Sequence, residues 1–583
     1  MDAIVRTHTL DDTKTLAIAV VGSGGAGAMT TGNLLLEACA KLGSFGLQTR
    51  SVGPQIRGGE AAAMVRLSSV PVDSASDRFD ILLAMDWNNV DRFASEIPID
   101  PDSLIICDPA KGDIPPAIAK AGARVQELPI SELAKQVKKG RGNMIALGVI
   151  AEIIGLSEEA IDFVLTKKLA PKGEEVLKTS LETVAAGRQA AVGIDKRPVP
   201  VAPRGGGRRW IISGNEAMGL GAIRGGIRFV AAYPITPATE ILEWMAPKLP
   251  QVGGALIQAE DELASINMIV GASFGGIPSM TATSGPGLAL MMEGLGLAVS
   301  SETPLVVVDV MRGGPSTGIP TTSEQTDLNI AIYGLHGEAP HLVLAPISVA
   351  DCLFTGQWSV VLAEALQVPA IVLSDQFLGQ ANLIIDEPLP IAMQAERARA
   401  AEPGEGYQRY ALTGSGVSPM SVPGTPGGQY TATGLEHTPT GLPSSTAENH
   451  SLQLDKRARK ITDYDYGDYW AELEGEGDHA VITWGSTTGP VREAMDRLRR
   501  EGVDNVRTLA IRLLAPAQPE KFAAALAGVK KVIVIEQSHS GQFNRYLSAH
   551  YSLPEGRSVH HRAGPLLMRA DELVEKIRSW SQL

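Results

Sequence analysis

Residues 233–239, with the sequence Tyr-Pro-Ile-Thr-Pro-Ala-Thr, predict a tight corner between a strand and a helix. The apolar run before it, residues 229–232, predicts a buried strand, and residues 239–245 have the pattern of a helix. We expect Thr236 to cap that helix with its hydroxyl, and Pro237 to take the first helical position, where its missing N–H costs nothing. The corner therefore predicts a polar loop at the carboxyl end of a strand, where open α/β sheets bind ligands.

Two further strand ends follow the same pattern. Residues 255–258 lead into a helix that begins with the three acids 260–262, and the apolar strand 304–310 ends at Arg312. Between them, residues 280–287 carry small hydroxyls and glycines, which allow a backbone to approach a ligand closely. If these strands are parallel neighbours, one rim of the sheet carries Thr236, Glu262, Thr283, Ser284 and Arg312.

Composition and charge narrow the class of protein. A chain of 583 residues is long enough for about three or four domains. Its net charge of −14, without a compensating basic block, argues against nucleic acid as the main partner. Cys39, Cys107 and Cys352 stand apart, so we expect no metal or iron–sulfur site in this chain and a reducing compartment. Without a signal-peptide pattern or an uninterrupted apolar span, the sequence predicts a cytoplasmic protein that does not enter a membrane.

A glycine-rich loop, residues 22–27, follows the first predicted strand, 15–21, and resembles a dinucleotide-binding fingerprint. A nicotinamide-binding domain usually carries an acidic residue at the end of its second strand, about twenty residues further on. Residues 47–52 contain no acid, although Arg50 could bind a 2′-phosphate, which leaves an NADP-dependent reductase as an alternative. We favour the interpretation that the glycines allow tight packing of a helix against a strand.

Shifts in composition divide the chain. Alternating strand and helix patterns up to about residue 195 predict a doubly wound domain, and the proline- and glycine-rich residues 196–208 predict a linker. A second α/β domain spans 209–390. Residues 391–470 are rich in Gly, Pro, Ser and Thr, which taken alone is typical of a flexible linker. A smaller α/β unit follows at 471–583, so the expected fold class is multidomain α/β.

Several of these features occur together in a known family. The segment at 233–237, the Glu262 helix, the Thr-Ser-Gly-Pro-Gly turn at 283–287 and the strand ending at Arg312 are placed in a similar order and spacing. They resemble the thiamine-pyrimidine domain of 2-oxoacid:ferredoxin oxidoreductases. Residues 53–60, Gly-Pro-Gln-Ile-Arg-Gly-Gly-Glu, are similar to the signature of the gamma domain of the same family, which in some members is fused ahead of alpha.

The resemblance implies an architecture for the whole chain. It implies a gamma domain at 1–195, a thiamine diphosphate pyrimidine-binding domain at 209–390 and a transketolase C-terminal-like domain at 471–583. Residues 391–470 resemble the extended arm of the family, so we expect them to be ordered against a partner chain.

The resemblance also implies roles at the rim. A carboxylate hydrogen-bonded to the aminopyrimidine of thiamine diphosphate promotes proton transfer, and the family register gives this role to Glu262, with Glu260 as the fallback. In isolation, the three acids would more simply complement a helix dipole. Arg312 would hold the substrate carboxylate as a planar fork, with Thr236 beside it. The other residues implied are Tyr233, Pro234, Ile235, Thr283 and Ser284 at the cofactor, and Arg57, Gly58 and Gly59 at the coenzyme A path or a domain interface.

The sequence carries only half of such an active site. It lacks the Gly-Asp-Gly sequence followed by an Asn that holds magnesium and the diphosphate in thiamine enzymes. It also lacks a set of cysteines for an iron–sulfur cluster. The resemblance therefore implies a beta subunit that brings Mg²⁺, the grip on the diphosphate and a [4Fe–4S] cluster. The implied assembly is an (αβ)₂ heterotetramer that uses ferredoxin and coenzyme A.

The choice of substrate follows from the fused gamma-alpha layout together with residues 333–340, which look most like the 2-oxoglutarate members of the family. These interconvert 2-oxoglutarate and coenzyme A with succinyl-CoA, CO₂ and reduced ferredoxin. The second carboxylate of that substrate needs another cation, for which His336, His341 or a lysine of the beta subunit are candidates. A pyruvate or broad-range oxidoreductase is the alternative within the family, and a non-catalytic scaffold subunit is the alternative from another class.

Overall fold

The computed structural model describes residues 15–53, 59–202, 208–316, 318–319, 321–400 and 402–581. Within these ranges the chain forms three β-sheets, of eight, seven and five strands, and helices pack against them. The α/β class expected from the sequence is confirmed. None of the helices in these ranges combines the length and the apolar character needed to span a bilayer.

The helices and strands alternate along most of the chain. The first part contains β1 (Thr15–Ser23), α1 (Ala28–Leu42), β2 (Phe45–Val52), β3 (Glu60–Ser68), β4 (Ile81–Ala84), β5 (Leu104–Cys107), α2 (Pro116–Ala119), β6 (Arg124–Glu127), α3 (Ile130–Gln136), α4 (Gly142–Ile153), α5 (Glu158–Leu169) and α6 (Glu174–Ala190). The middle part contains β7 (Arg209–Ser213), α7 (Gly214–Gly225), β8 (Phe229–Ala232), α8 (Thr239–Met245), β9 (Ala255–Gln258), α9 (Glu262–Phe274), β10 (Ser279–Thr283), α10 (Gly285–Ser300), β11 (Leu305–Met311), α11 (Leu328–Tyr333), β12 (Leu342–Leu344), α12 (Asp351–Leu366), β13 (Pro369–Asp375), α13 (Gln376–Gln380) and β14 (Asn382–Asp386). The last part contains α14 (Ala447–Thr462), β15 (Ala471–Glu474), β16 (His479–Trp484), α15 (Thr488–Arg500), β17 (Val506–Ile511), β18 (Leu513–Ala515), α16 (Pro519–Ala525), β19 (Lys531–Glu536), α17 (Gln542–His550), β20 (Gly556–His561) and α18 (Ala570–Ser581).

The seven-stranded sheet carries the predicted rim. Its order is β18-β12-β13-β11-β10-β8-β9, and the six strands from β8 to β13 run parallel. Every residue of β10 and β11 is buried, as expected of central parallel strands that are covered on both faces. The carboxyl ends of β8, β10 and β11 therefore meet at one edge of the sheet, as the sequence predicts.

Two of the sheets cross the predicted domain boundaries. In the eight-stranded sheet, β6-β5-β4-β1-β3-β2-β14-β7, strand β14 pairs with β2, and β7 pairs with β14. Strand β18, from the predicted C-terminal domain, joins the seven-stranded sheet beside β12. The predicted start of the second domain at residue 209 thus lies in a sheet shared with the first part, because local composition does not report which sheet edge a strand will join.

Residues 391–470 pack against their own chain. Arg397 donates to Glu364 of α12 through Nε and Nη2, both at 2.7 Å, and to the carbonyl oxygen of Ser273 at 2.6 Å. Tyr410 and Met420 are fully buried. The arm is thus packed on its own chain through contacts that its local composition does not reveal, since a buried arginine needs a carboxylate. The expectation that a partner chain also orders it stays a prediction.

Candidate active site

A hydrogen bond ties two loops at the edge of the seven-stranded sheet. Arg312, which follows β11, donates from Nη1 to the carbonyl oxygen of Thr236, after β8, at 2.7 Å. Strand β10 lies between these two strands, so the arginine reaches across its end. Arg312 is half-buried, and its Nε is buried without a hydrogen-bond partner among the described residues. Its Nη2 group makes no hydrogen bond among the described residues and is not fully buried, so the guanidinium retains donors that a carboxylate could use.

The predicted cap of the helix after the first loop is wrong. Helix α8 begins at Thr239 with Ala238 at its N-cap, and no side chain caps it. The Ala238 N–H donates to the carbonyl oxygen of Ile235 at 2.8 Å, so a turn separates Pro237 from the helix. Thr236 lies exposed at the rim instead, where its hydroxyl is accessible to a ligand.

The fold sets Glu262 apart from the neighbouring acids. Helix α9 begins at this residue, and Asp261 caps the helix by accepting the N–H of Ala264 at 2.7 Å. Glu260 is exposed, whereas only 7% of Glu262 is accessible to solvent. In the described ranges, no N–H or O–H group is hydrogen bonded to the Glu262 carboxylate. A helix dipole alone does not explain a carboxylate that is buried without a partner, since burial of a charge is costly unless something binds it.

The Glu262 carboxylate lies against the start of α10. A methyl group at Gly287 would stand 2.7 Å from Glu262 Oε1 and 2.0 Å from Thr283 Oγ1, so glycine is needed to admit both side chains. Ser284 is fully buried, and its Oγ lacks a hydrogen-bond partner in the described part of the chain. Glu262, Thr283, Ser284 and Gly287 therefore form one polar cluster, called the slot below, whose acceptor and hydroxyl match the hydrogen-bonding groups of a nitrogen heterocycle with an amino group.

The outer side of this slot is apolar and open. Tyr233 and Ile257 are 41% and 44% exposed, and Leu263, in the first turn of α9, is 51% exposed. Pro234 and Ile235 are half-buried in the loop after β8. Apolar side chains this exposed, grouped around two strand ends and one helix, are typical of a surface that another chain covers.

The loop after Arg312 is held by the last part of the chain, which we did not predict. Gln537 donates its backbone N–H to Gln325 Oε1 at 2.7 Å, and Gln325 returns its backbone N–H to the Gln537 carbonyl at 2.8 Å. Gln325 also donates from Nε2 to the carbonyl of Trp484 at 2.9 Å. All of these residues are buried. A polar residue directly after a buried strand, as Gln537 is after β19, is the sequence signal that could have indicated this clamp.

The two candidate histidines lie away from the rim. The Cε1 atom of His336 is 3.3 Å from the Cβ position of Gly296, in the second half of α10. Helix geometry places that glycine about 16 Å along the axis from Gly285, where α10 begins at the rim. His341 is buried, and both of its ring nitrogens contact backbone carbonyl oxygens. The structure therefore does not bring either histidine together with the other predicted site residues.

The glycine loop of the first part serves packing. Gly27 has a φ of +100°, and a methyl group there would lie 2.7 Å from a side chain of α4. The carboxylate of Asp86 accepts the N–H and the hydroxyl of Ser23, which places a negative charge where a dinucleotide phosphate would bind. Arg50 is paired with Glu240 of α8. These contacts favour the packing interpretation over NADP binding.

The gamma-domain signature adjoins this glycine loop. Arg57 and Gly58 lie outside the described residues. Gly59 is buried, and its carbonyl oxygen accepts the N–H of Gly24. The proposed roles of these three residues stay predictions.

Metal ligands do not cluster in the part of the chain that the structure describes. No group of three or more His, Cys, Asp or Glu side chains there is arranged to hold a metal ion. Cys39, Cys107 and Cys352 are buried free thiols, and burial raises the pKa of each. They are therefore protonated and unreactive at neutral pH.

Comparisons with known proteins cover most of the chain. The family model described as "Pyruvate flavodoxin/ferredoxin oxidoreductase, thiamine diP-bdg" matches residues 220–456, "Pyruvate ferredoxin/flavodoxin oxidoreductase" matches 17–190, and "Pyruvate:ferredoxin oxidoreductase core domain II" matches 477–560. The alpha subunit of 2-oxoacid:ferredoxin oxidoreductase 2 from Aeropyrum pernix is 32% identical over 475 residues, which cover 76% of this chain and 73% of the relative. The chain belongs to the 2-oxoacid:ferredoxin oxidoreductase family.

Other members of this family match nearly end to end. The 2-oxoglutarate oxidoreductase subunit KorA of Mycobacterium tuberculosis is 31% identical over 623 residues, covering 98% of this chain and 93% of the relative. One solved structure is of 2-oxoglutarate:ferredoxin oxidoreductase from Magnetococcus marinus with 2-oxoglutarate, coenzyme A and succinyl-CoA bound. It is 41% identical, has a TM-score of 0.90, and covers 97% of this chain and 99% of that chain. The family and the α/β architecture inferred from the sequence are thus confirmed.

Proposed function

We propose that this chain is the alpha subunit, with a fused gamma domain, of a thiamine-dependent 2-oxoglutarate:ferredoxin oxidoreductase. In this role it interconverts 2-oxoglutarate and coenzyme A with succinyl-CoA, CO₂ and reduced ferredoxin. One observation carries the proposal, the 41% identity over 97% of this chain to an enzyme that was solved with 2-oxoglutarate, coenzyme A and succinyl-CoA bound.

Glu262 and the start of α10 form this chain's share of the thiamine site. Thiamine diphosphate, when bound, supplies the carbon nucleophile that cleaves a 2-oxoacid. Glu262 holds a proton at the aminopyrimidine ring, because its buried carboxylate is a strong acceptor in surroundings of low polarity. Thr283 and Ser284 orient the ring from the slot beside Gly287. The loop residues Tyr233, Pro234 and Ile235 cover its outer side.

Arg312 holds the carboxylate next to the keto group of the substrate. Its bond to the Thr236 carbonyl fixes the plane of the guanidinium, and the exposed Thr236 hydroxyl donates beside it. The second carboxylate of 2-oxoglutarate needs a further cation. Since His336 packs on α10 and His341 is enclosed by carbonyl oxygens, we assign that cation to the partner subunit.

A beta subunit completes the active site. The exposed apolar side chains Tyr233, Ile257 and Leu263 surround the slot and fit a surface that another chain covers. The partner supplies Mg²⁺, the grip on the diphosphate and the [4Fe–4S] cluster, and the assembly is an (αβ)₂ heterotetramer with ferredoxin as electron acceptor. The family signature gives Arg57, Gly58 and Gly59 a role in coenzyme A binding or at a domain interface. The three buried, protonated thiols fit a reducing cytoplasm.

A pyruvate or broad-range oxidoreductase is the second candidate, and the descriptions of all three family models name pyruvate. The ratio of kcat/KM for 2-oxoglutarate to that for pyruvate, measured anaerobically on the assembled complex with a viologen dye, separates the two. We expect the ratio to exceed about 100, because pyruvate would leave the second cation buried and unpaired. A ratio near one would contradict the 2-oxoglutarate assignment and leave the family reaction intact.

A further inference from the structure

Two buried acids lie at the same edge of the seven-stranded sheet as the arginine proposed to bind substrate. Asp309 is fully buried on β11, three residues before Arg312, and is in register with Thr283 of β10. Asp327 stands at the start of α11 and its carboxyl group abuts the start of α10, since a methyl group at Gly285 would lie 2.7 and 2.8 Å from its two oxygens. Both acids therefore lie at the corner that carries the thiamine and substrate residues.

The buried oxygens of these two carboxyl groups have no hydrogen-bond donor in the described part of the chain. Both oxygens of Asp309 and Oδ2 of Asp327 are buried, and no N–H group or other hydroxyl among the described residues bonds to them. Each of the two side chains changes the pKa of the other, as carboxyl groups within hydrogen-bonding reach do. Two carboxylates in contact cannot both ionise in a buried site, so one of them is protonated and donates to the other.

The charged groups around the pair decide which acid keeps the proton. Burial raises the pKa of Asp309 well above its ordinary value, and the neighbouring Asp327 raises it further. Burial also raises the pKa of Asp327, to about 6. The charge of Glu324 raises this pKa further, whereas hydrogen bonding by Asp309 and the charge of Arg312 lower it. Asp327 therefore ionises first while Asp309 keeps its proton. The pair is neutral at low pH and carries one negative charge at neutral pH.

We propose that Asp309 and Asp327 form a proton-sharing pair that sets how strongly Arg312 attracts the carboxylate of the substrate. The inference rests on the proposed role of Arg312. When the pair is neutral, the guanidinium attracts the substrate unopposed, and when the pair is charged, part of that attraction is cancelled. Asp309 and Asp327 are thus positioning residues that act through Arg312.

The isosteric variants of the two acids are expected to change the KM for the 2-oxoacid in different ways. In Asp327→Asn, Asp309 stays protonated and donates to the amide oxygen, so the pair is neutral. KM at pH 8 then falls by about 3- to 10-fold and no longer rises with pH. In Asp309→Asn, the amide donates to Asp327 and stabilises its charged form, so the rise in KM moves to lower pH. The KM for coenzyme A serves as the internal reference in both variants.

Infrared spectra of the assembled complex, compared between the wild type and each variant, detect the shared proton without turnover. At pH 8 we expect the C=O stretch of a buried protonated carboxyl in the wild type and in Asp327→Asn, and its loss in Asp309→Asn. Measurements of KM for 2-oxoglutarate between about pH 5.5 and 8.5 give the second readout, because the carboxylates of the substrate stay largely ionised in this range.

Two results would overturn the proposal: an equal infrared band in the wild type and in Asp309→Asn, or a KM at pH 8 that is unchanged or higher in a folded Asp327→Asn complex. A wild-type complex that turns over no 2-oxoacid would contradict the proposed function instead. The infrared test of the shared proton would still be valid in that case.

Discussion

Replacement of Glu262 by Gln is expected to lower the turnover number of the assembled enzyme by about 10²- to 10⁴-fold, the range found when a group that transfers protons is removed. The amide has the same shape, and Asp261 rather than Glu262 caps α9, so the fold should be retained. The loss follows from the weaker acceptor that the amide offers to the aminopyrimidine. Steady-state reduction of a viologen dye with 2-oxoglutarate and coenzyme A measures the effect.

Glu260→Gln is the matched control for this experiment. Glu260 lies two residues earlier, is exposed and stands outside the helix, so we expect its replacement to leave turnover within about twofold of the wild type. A large loss in Glu260→Gln with little loss in Glu262→Gln would assign the catalytic carboxylate to Glu260. Full turnover in Glu262→Gln would instead favour the scaffold alternative for this chain.

Replacement of Glu302 by Gln is expected to destabilise the attachment of the arm by about 3–5 kcal/mol, the cost of removing one partner from a buried ion pair. Glu302 is fully buried after α10 and accepts hydrogen bonds from Lys456 at 2.5 Å and from Lys460 at 2.9 Å. Burial opposes ionisation of Glu302, but Lys460, Lys456 and Arg409 lower its pKa below the ordinary value. Without this carboxylate, the buried ammonium groups lose their counter-charge.

Two quantities measure this loss of stability: the midpoint of thermal unfolding, and the rate at which a protease cleaves within residues 391–470. Glu405→Gln is the control, because Glu405 lies in the same arm and is exposed, and we expect its effect to stay within about 0.5 kcal/mol. Burial lowers the pKa of Lys456 to about 7, although the charge of Glu302 opposes this shift. Because the folded pKa lies below the unfolded one, the contribution of Lys456 to the free energy of unfolding is greatest above the unfolded pKa and falls as the pH drops towards 7. Equal unfolding midpoints and cleavage rates in the two variants would show that the cluster contributes no net stability.

The rim of the candidate site could be predicted because local patterns determine it. Apolar runs of strand length mark where β8, β10 and β11 end, and parallel neighbours place those ends at one edge of the sheet. The choice of Glu262 among three adjacent acids came from the family register. The structure supplies its physical reason, since the cap at Asp261 points one acid into the slot and leaves Glu260 in solvent.

Features that depend on pairing across long stretches of the chain could not be predicted. Strand β14 lies within the predicted second domain but pairs with β2 of the first part of the chain. Strand β18 lies within the predicted last domain but pairs with β12 of the middle part. Lys456 and Lys460 meet Glu302 across 154 and 158 residues, so the composition of the arm suggested flexibility where the fold packs it. Asp309 falls inside the predicted apolar strand 304–310, and nothing in that segment reveals that Asp327 influences it.

Local chemistry misled the prediction at Thr236. A threonine followed by a proline is typical of a helix start, but the turn from Ile235 to Ala238 delays the helix to Thr239. The backbone carbonyl of Thr236 accepts from Arg312 instead. Thr236 thus lies at the predicted rim, and its role in substrate binding stays a prediction.

We propose that this chain holds half of a thiamine site and that a second subunit holds the rest. The most direct test is anaerobic reduction of a viologen dye by the purified chain alone and by the chain assembled with its cluster-bearing partner, each supplied with thiamine diphosphate, Mg²⁺, coenzyme A and 2-oxoglutarate. We expect activity only from the assembled complex. Activity from the isolated chain, or no activity with any 2-oxoacid from a complex whose cluster is intact, would contradict the claim.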